Sequence, residues 1–274
     1  MPYHAMRLSC PKATPDSPAP NSKAQTEIDD KLEALEERKR ALRTCRNSYS
    51  PISSIPPELL STIFVFHVQQ TQLRYIPDNP DVLSWLIVGR VCRRWREVAL
   101  RTPELWVTPF LNCSKATDEM LTRSKMAPLN LKIGRRYRMD SIQKALMHME
   151  RLQSVSLLFL HGDTAGCRCI MEFINKLSSC SAPKLRLLAL EVGDKQTPRV
   201  AIPIYFPAPN LCSLRIKHCD LSWASSVLTG LTVLDIQKLS PECLPTLDEL
   251  ISALRRMPAL HTLVLEDALP TLSS

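Results

Sequence analysis

The chain has 274 residues, a formal net charge of +8, six glycines and ten cysteines; that length allows one or two domains with real cores. So few glycines exclude a phosphate-cradling loop or a dinucleotide fingerprint, and no apolar run is long enough to cross a bilayer. The first residues, Met1-Pro2-Tyr3-His4, lack the pattern of a secretory signal, and Cys92, Cys212 and Cys243 read as small core residues rather than a disulfide framework, so a cytoplasmic and/or nuclear protein is expected.

Residues 1–26 are rich in Pro, Ser and Ala. They hold too little apolar surface to offset ordering entropy, and are expected to be a disordered tail. Pro15-x-x-Pro18 formally fits a polyproline motif and carries no weight alone. Residues 27–46 then read as an amphipathic helix, with Ile28, Leu32, Leu35 and Leu42 on one stripe, acids early and bases late. Two heptads are short for an isolated coiled coil, so this helix is expected to pack against its own chain.

In Ile55-Pro56-Pro57-Glu58 a proline suits the first helical turn and an acid favours the positive helix start. Leu59, Leu60, Ile63 and Phe64 follow at helical spacing, then a turn-rich segment around Pro77-Asp78-Asn79-Pro80. Val91, Trp95 and Val98 recur at i, i+4 and i+7 with arginines between them, and Thr102-Pro103 closes that helix. In this order the block resembles the F-box family. Its apolar-Pro-x-Glu start is matched at 55–58, its paired leucines and Ile-Phe at Leu59-Leu60 and Ile63-Phe64, its Val-Cys-basic-basic-Trp-Arg at 91–96, and its trailing Leu-Trp at Leu105-Trp106. Ile55 stands where the family favours leucine, and the link at 71–81 is longer than usual. The resemblance implies a three-helix module, residues 50–108, that docks on a Skp-type adaptor of a cullin–RING ubiquitin ligase. Ile55, Pro56, Glu58, Leu59, Leu60, Ile63, Phe64, Val91, Cys92 and Trp95 are the implied adaptor-binding residues.

Beyond Trp106 the pattern Leu-x-x-Leu-x-Leu, with Val or Ile allowed, recurs five times, beginning at Leu152, Leu185, Leu211, Leu231 and Leu260. The steps are 33, 26, 20 and 29 residues. Helical stripes lie between them: Met139, Ile142, Leu146 and Met149; Ile170, Phe173, Ile174 and Leu177; Leu247, Leu250, Ile251 and Leu254. Pro128 to Ile133 reads as a first strand. Such alternation predicts a βα solenoid with a parallel sheet over residues 109–274, and resembles the degenerate leucine-rich repeats found behind F-boxes; an ordinary α/β domain is the rival. The fold class expected is therefore α+β in several parts: N-terminal helix, three-helix F-box, irregular leucine-rich-repeat-like solenoid. The pattern stops without an obvious polar capping unit, which reads as a small or a truncated repeat region. Pattern leucines point inward, so Ser213, Arg215, Lys217, Asp235, Gln237, Thr262 and Glu266 are expected on the open face, as candidates for partner contact.

Two basic clusters stand out: Arg90, Arg93, Arg94, Arg96 and Arg101; Arg123, Lys125, Lys132, Arg135, Arg136 and Arg138. They support an alternative reading, a module binding nucleic acid or acidic protein with the F-box as scaffold. Cys167, Cys169 and Cys180 lack zinc-ligand spacing, His161-Gly162-Asp163-Thr164 reads as a turn, and Asn112-Cys113-Ser114 fits a glycosylation acceptor only formally. No catalytic constellation, metal set or cofactor motif emerges. The expectation is a non-enzymatic substrate receptor holding a Skp-type adaptor at one end and an unnamed target at the other.

Overall fold

The computed structural model describes residues 22–73, 86–133, 136–158, 164–179, 182–192, 199–205 and 207–270, in two units, Met1–Ile55 and Pro56–Ser274. The first unit holds helix α1, Ser22–Ser48, and a 3-10 turn, Pro51–Ser54. The helix runs past both ends of the expected 27–46, because Lys23, Ala24 and Gln25 are good helix formers. Its stripe of Ile28, Leu32, Leu35 and Leu42 is exposed, and among the described residues of this unit nothing covers it.

The second unit opens with α2, Pro57–Leu73, followed by the short α3, Val88–Val91, and α4, Arg93–Arg101. Cys92, extended at φ −156°, separates α3 from α4. A 3-10 turn over Pro103–Trp106 follows, set off by Thr102, whose hydroxyl donates to Val98 O at 2.8 Å. Leu60, Phe64 and Val68 of α2 are buried with Val88, Val98, Ala99, Leu105 and Trp106. Trp95 tilts onto Phe64 with ring centroids 5.0 Å apart, a favoured aromatic geometry. Helix α5, Ser114–Arg123, leads into the sheet.

Eight strands follow: β1 Leu129–Ile133, β2 Leu152–Leu158, β3 Leu187–Glu191, β4 Val200–Ile202, β5 Ser213–Lys217, β6 Cys219–Leu221, β7 Val233–Gln237 and β8 Thr262–Glu266. Six make one parallel sheet in the order β1-β2-β3-β5-β7-β8, and β4 pairs with β6 in a second. The result is a mixed α/β chain, helical at the start and then built on a parallel sheet. Each parallel step needs a crossover. These carry α6, Met139–Leu146, then α7, Thr164–Ser179, then β4, then β6, and finally α8, Leu247–Arg255. The 20-residue step between β5 and β7 holds only the short extended β6.

The register aligns the leucine pattern in two columns. One is Leu131, Val155, Leu188, Leu214, Leu234 and Leu263; the other is Ile133, Leu157, Leu190, Ile216, Ile236 and Leu265. The first five members of the first column are fully buried, whereas Leu263 is 42% exposed. Each fully buried leucine contributes about 1.5–3 kcal/mol. After β5, β7 and β8 the chain leaves the sheet through a left-handed residue, His218, Lys238 and Asp267, at φ 55°, 57° and 50°. The His218 and Lys238 N–H groups extend the ladder by donating to Gln237 O and Glu266 O.

One charged side chain is buried at the start of the sheet. Arg151, 2% exposed, donates to Ser124 Oγ at 2.9 Å, Leu121 O at 3.3 Å, Ala127 O at 3.4 Å, and also Lys125 O. A guanidinium thus caps the C-terminal end of α5, where the helix dipole favours a cation.

Candidate partner-binding surfaces

Helix α2 carries apolar residues on two faces. Leu60, Phe64 and Val68 point into the core, while Leu59, Ile63 and Phe66, spaced i, i+4 and i+7, are 58%, 50% and 61% exposed. Ile87 and Val91, four residues apart around α3, are exposed as well. An exposed apolar set of this kind marks an interaction surface. Of the residues named for adaptor contact, Leu59, Ile63 and Val91 are on the surface with Pro56 and Glu58, and Ile55, Cys92 and Trp95 are half-buried. Leu60 and Phe64 differ from that set: at 1% exposure they lie in the core of this unit. Phe66 and Ile87 went unread, although Phe66 lies seven residues beyond Leu59 and completes a second helical stripe.

The arginines around α4 are largely engaged. Arg93 pairs with Glu97 at 3.0 Å, and Arg96 donates to Gly89 O at 2.9 Å. Arg94 and Arg101 share a cleft of about 370 Å³ with Glu58 and Glu97, so it presents both signs of charge. In the second cluster Arg123 pairs with Glu119 at 2.7 Å and lies over the Trp106 ring at 4.4 Å, and Arg138 pairs with Asp140 at 3.0 Å. Hydrogen bonding to Arg138 holds the Asp140 carboxyl below its ordinary value, and burial lowers the Lys132 ammonium. Arg135 lies outside the described residues.

The uncovered face of the sheet has rows set by the same register. Lys132, Ser156, Ala189, Arg215, Asp235 and Val264 form one; Leu158, Glu191, Lys217, Gln237 and Glu266 form the next. The small Ser156 and Ala189 leave a hollow of about 320 Å³ bordered by Arg215, Lys217, Asp235 and Gln237. Lys217 pairs with Glu191 at 2.6 Å, and the Gln237 amide donates to Asp235 at 2.9 Å. Arg215, Thr262 and Glu266 are exposed, but Ser213 is 8% exposed and offers little to a partner.

Cys92, Cys212 and Cys243 are half-buried free thiols, whereas among the described cysteines Cys169 and Cys219 are buried. Among the described residues no cluster of His, Cys, Asp and Glu could hold a metal, and no helix is long and apolar enough to cross a membrane. Cys180, His161-Gly162-Asp163, the Pro15–Pro18 motif and 74–81 of the long link lie outside the described residues.

The helical block with its two-faced first helix matches a known family model, described as F-box-like, over residues 52–112. Those residues are an F-box-like domain. Such domains serve protein–protein interaction, typically in SCF-type ubiquitin ligases, and commonly bind Skp-type adaptors. The F-box-like domain extends past Trp106 to Asn112, just short of α5. No curated protein and no solved structure matches the chain.

Proposed function

We propose that this chain is a non-enzymatic substrate receptor of an SCF-type cullin–RING ubiquitin ligase, working in the cytoplasm and/or nucleus. The observation that carries the reading is the exposed stripe of Leu59, Ile63 and Phe66 inside the F-box-like domain, on a helix whose opposite stripe already fills the core. That stripe, with Ile87 and Val91, is the surface for a Skp-type adaptor. A few large apolar side chains suffice to anchor such a contact.

The sheet is read as a degenerate leucine-rich-repeat solenoid. Its support is that each recurrence of the leucine pattern supplies one strand and that the strands stand in chain order. Its open face, with Arg215, Lys217, Asp235, Gln237, Thr262 and Glu266, would hold the target. The chain then accelerates ubiquitin transfer by proximity alone, the chemistry belonging to other subunits.

The test is co-purification of a Skp-type adaptor with wild type and with Leu59→Asp/Ile63→Asp. Both side chains are exposed, so the variant keeps its fold, checked by an unchanged thermal melt. Loss of two central apolar anchors, each worth at least about 2 kcal/mol, weakens capture by ~10³-fold or more. A folded wild type that captures no adaptor refutes the proposal.

A further inference from the structure

Helix α1 carries its charge in two blocks. Residues 27–37 hold six acids and one base, a net −5, and residues 38–48 hold five bases and no acid, a net +5. The helix dipole acts on the first and last turns, and pairs such as Lys39–Glu36, at 2.9 Å, join residues three or four apart. Neither requires blocks this long and this uniform. Along the helix run Ile28, Leu32, Leu35 and Leu42, 56–64% exposed, at steps of four, three and seven. Lys39 fills the gap in that spacing and Arg46 continues it, which makes one seam of the coiled-coil kind. Because the helix runs from Ser22 to Ser48, the seam has about three heptads where the sequence spacing marks two.

We propose that α1 pairs with α1 of a second copy, antiparallel, about a two-fold axis at Glu37, where the two charge blocks meet. The −5 block of each helix then lies along the +5 block of the other. A uniformly acidic or basic partner would match only half of the helix. Among the described residues no other helix carries such a pair of blocks, so the complement on the page is α1 itself. In this register Leu32 faces Leu42 of the other copy. The aliphatic stems of Lys39 and Arg46 cover Leu35 and Ile28 of the other copy, and their charged ends reach water. Asp29 stands beside Arg43 of the other copy, twice. Glu36 and Arg38 meet their own copies nearest the axis, where Lys39 already holds Glu36. A parallel pair would set Lys39 on Lys39 and Arg46 on Arg46 in the seam and lay each block on its like, which disfavours it. A two-fold contact closes at a dimer. This inference stands independently of the ligase reading.

The experiment uses the full chain at about 100 µM. Light scattering after size exclusion should give twice 31.0 kDa for wild type and the mass of one chain for Leu32→Asp/Leu42→Asp. By sedimentation equilibrium, Asp29→Arg and Arg43→Asp should each weaken the dimer about tenfold, and the two together should restore it. Positions 29 and 43 lie about 21 Å apart within one helix, so they can compensate each other only between antiparallel copies. A monomeric wild type overturns the proposal. In that case slow maleimide labelling of Leu35→Cys means that another part of this chain covers the stripe, and fast labelling that a different protein does. A Leu32→Asp/Leu42→Asp variant that stays dimeric, or a double charge swap that fails to recover the dimer, overturns it as well.

Discussion

Replacing Arg151 by methionine tests how the end of α5 is held to the sheet. The guanidinium donates to four acceptors at the end of α5. Methionine fills much of the same volume and donates to none. Leu121 O and Ser124 Oγ are buried and lose a charged donor, at about 1.5–3 kcal/mol for each bond, although Ser124 Oγ still donates to Leu121 O at 2.8 Å. Lys125 and Ala127, nearer the surface, recover water. Removal of a buried cation returns part of the loss, because burying that charge was itself costly. The net expectation is about 3 kcal/mol of destabilisation, or roughly 6–12 °C in Tm for a unit of this size. Urea titration followed by tryptophan fluorescence, with Arg151→Lys as a partial rescue, measures it. A second readout is the His148 imidazole, held below its ordinary value first by burial and then by the Arg151 charge. Its NMR titration should move up in Arg151→Met. A loss under about 1 kcal/mol with an unmoved His148 would refute the capping argument.

Thr246→Ala removes a capping box in which the Thr246 hydroxyl accepts from the Glu249 N–H at 3.2 Å and the Glu249 carboxylate accepts from the Thr246 N–H at 2.8 Å; a loss of about 1 kcal/mol by urea denaturation is expected. Trp106→Phe deletes the indole N–H donated to Ala99 O at 3.0 Å and weakens the stack under Arg123, for a loss of about 1–2 kcal/mol. Gly230, at φ 68°, has open space where a Cβ would stand, so Gly230→Ala should cost about 1 kcal/mol from backbone strain alone. Because the His148 value is lowered on folding, its contribution is present above the unfolded value and lost as pH falls through that value toward the folded one. A modest drop in the urea midpoint below neutral pH, flattened by His148→Gln, is expected.

The sheet was the most legible part of the chain. The steps between leucine triplets are the register itself, Val155 with Leu188, Leu214 and Leu234, because a one-residue slip would turn every leucine to the wrong face. The F-box-like block was legible through its order of motifs. Which of its apolar residues are core was not: Leu59 and Leu60 are neighbours in sequence, and only packing decides that the second is buried and the first is not. Arg151 was hidden for a similar reason. Beside Glu150 it reads as a surface charge, and its acceptors are mostly backbone carbonyls that no side-chain pattern announces. The β4–β6 pair, three residues per strand, is too short to leave a periodic signal.

The strand order β1-β2-β3-β5-β7-β8 bears on how such a chain can change over generations. Each strand finds its neighbour in the next strand of the main sheet along the chain, so a duplication or deletion of one strand with its crossover shifts the sheet without rethreading it. Every such event widens or narrows the open face by about 4.8 Å, while the F-box-like domain keeps its sequence. The width of the open face can therefore drift in whole-strand increments while the fold of the remaining strands is kept.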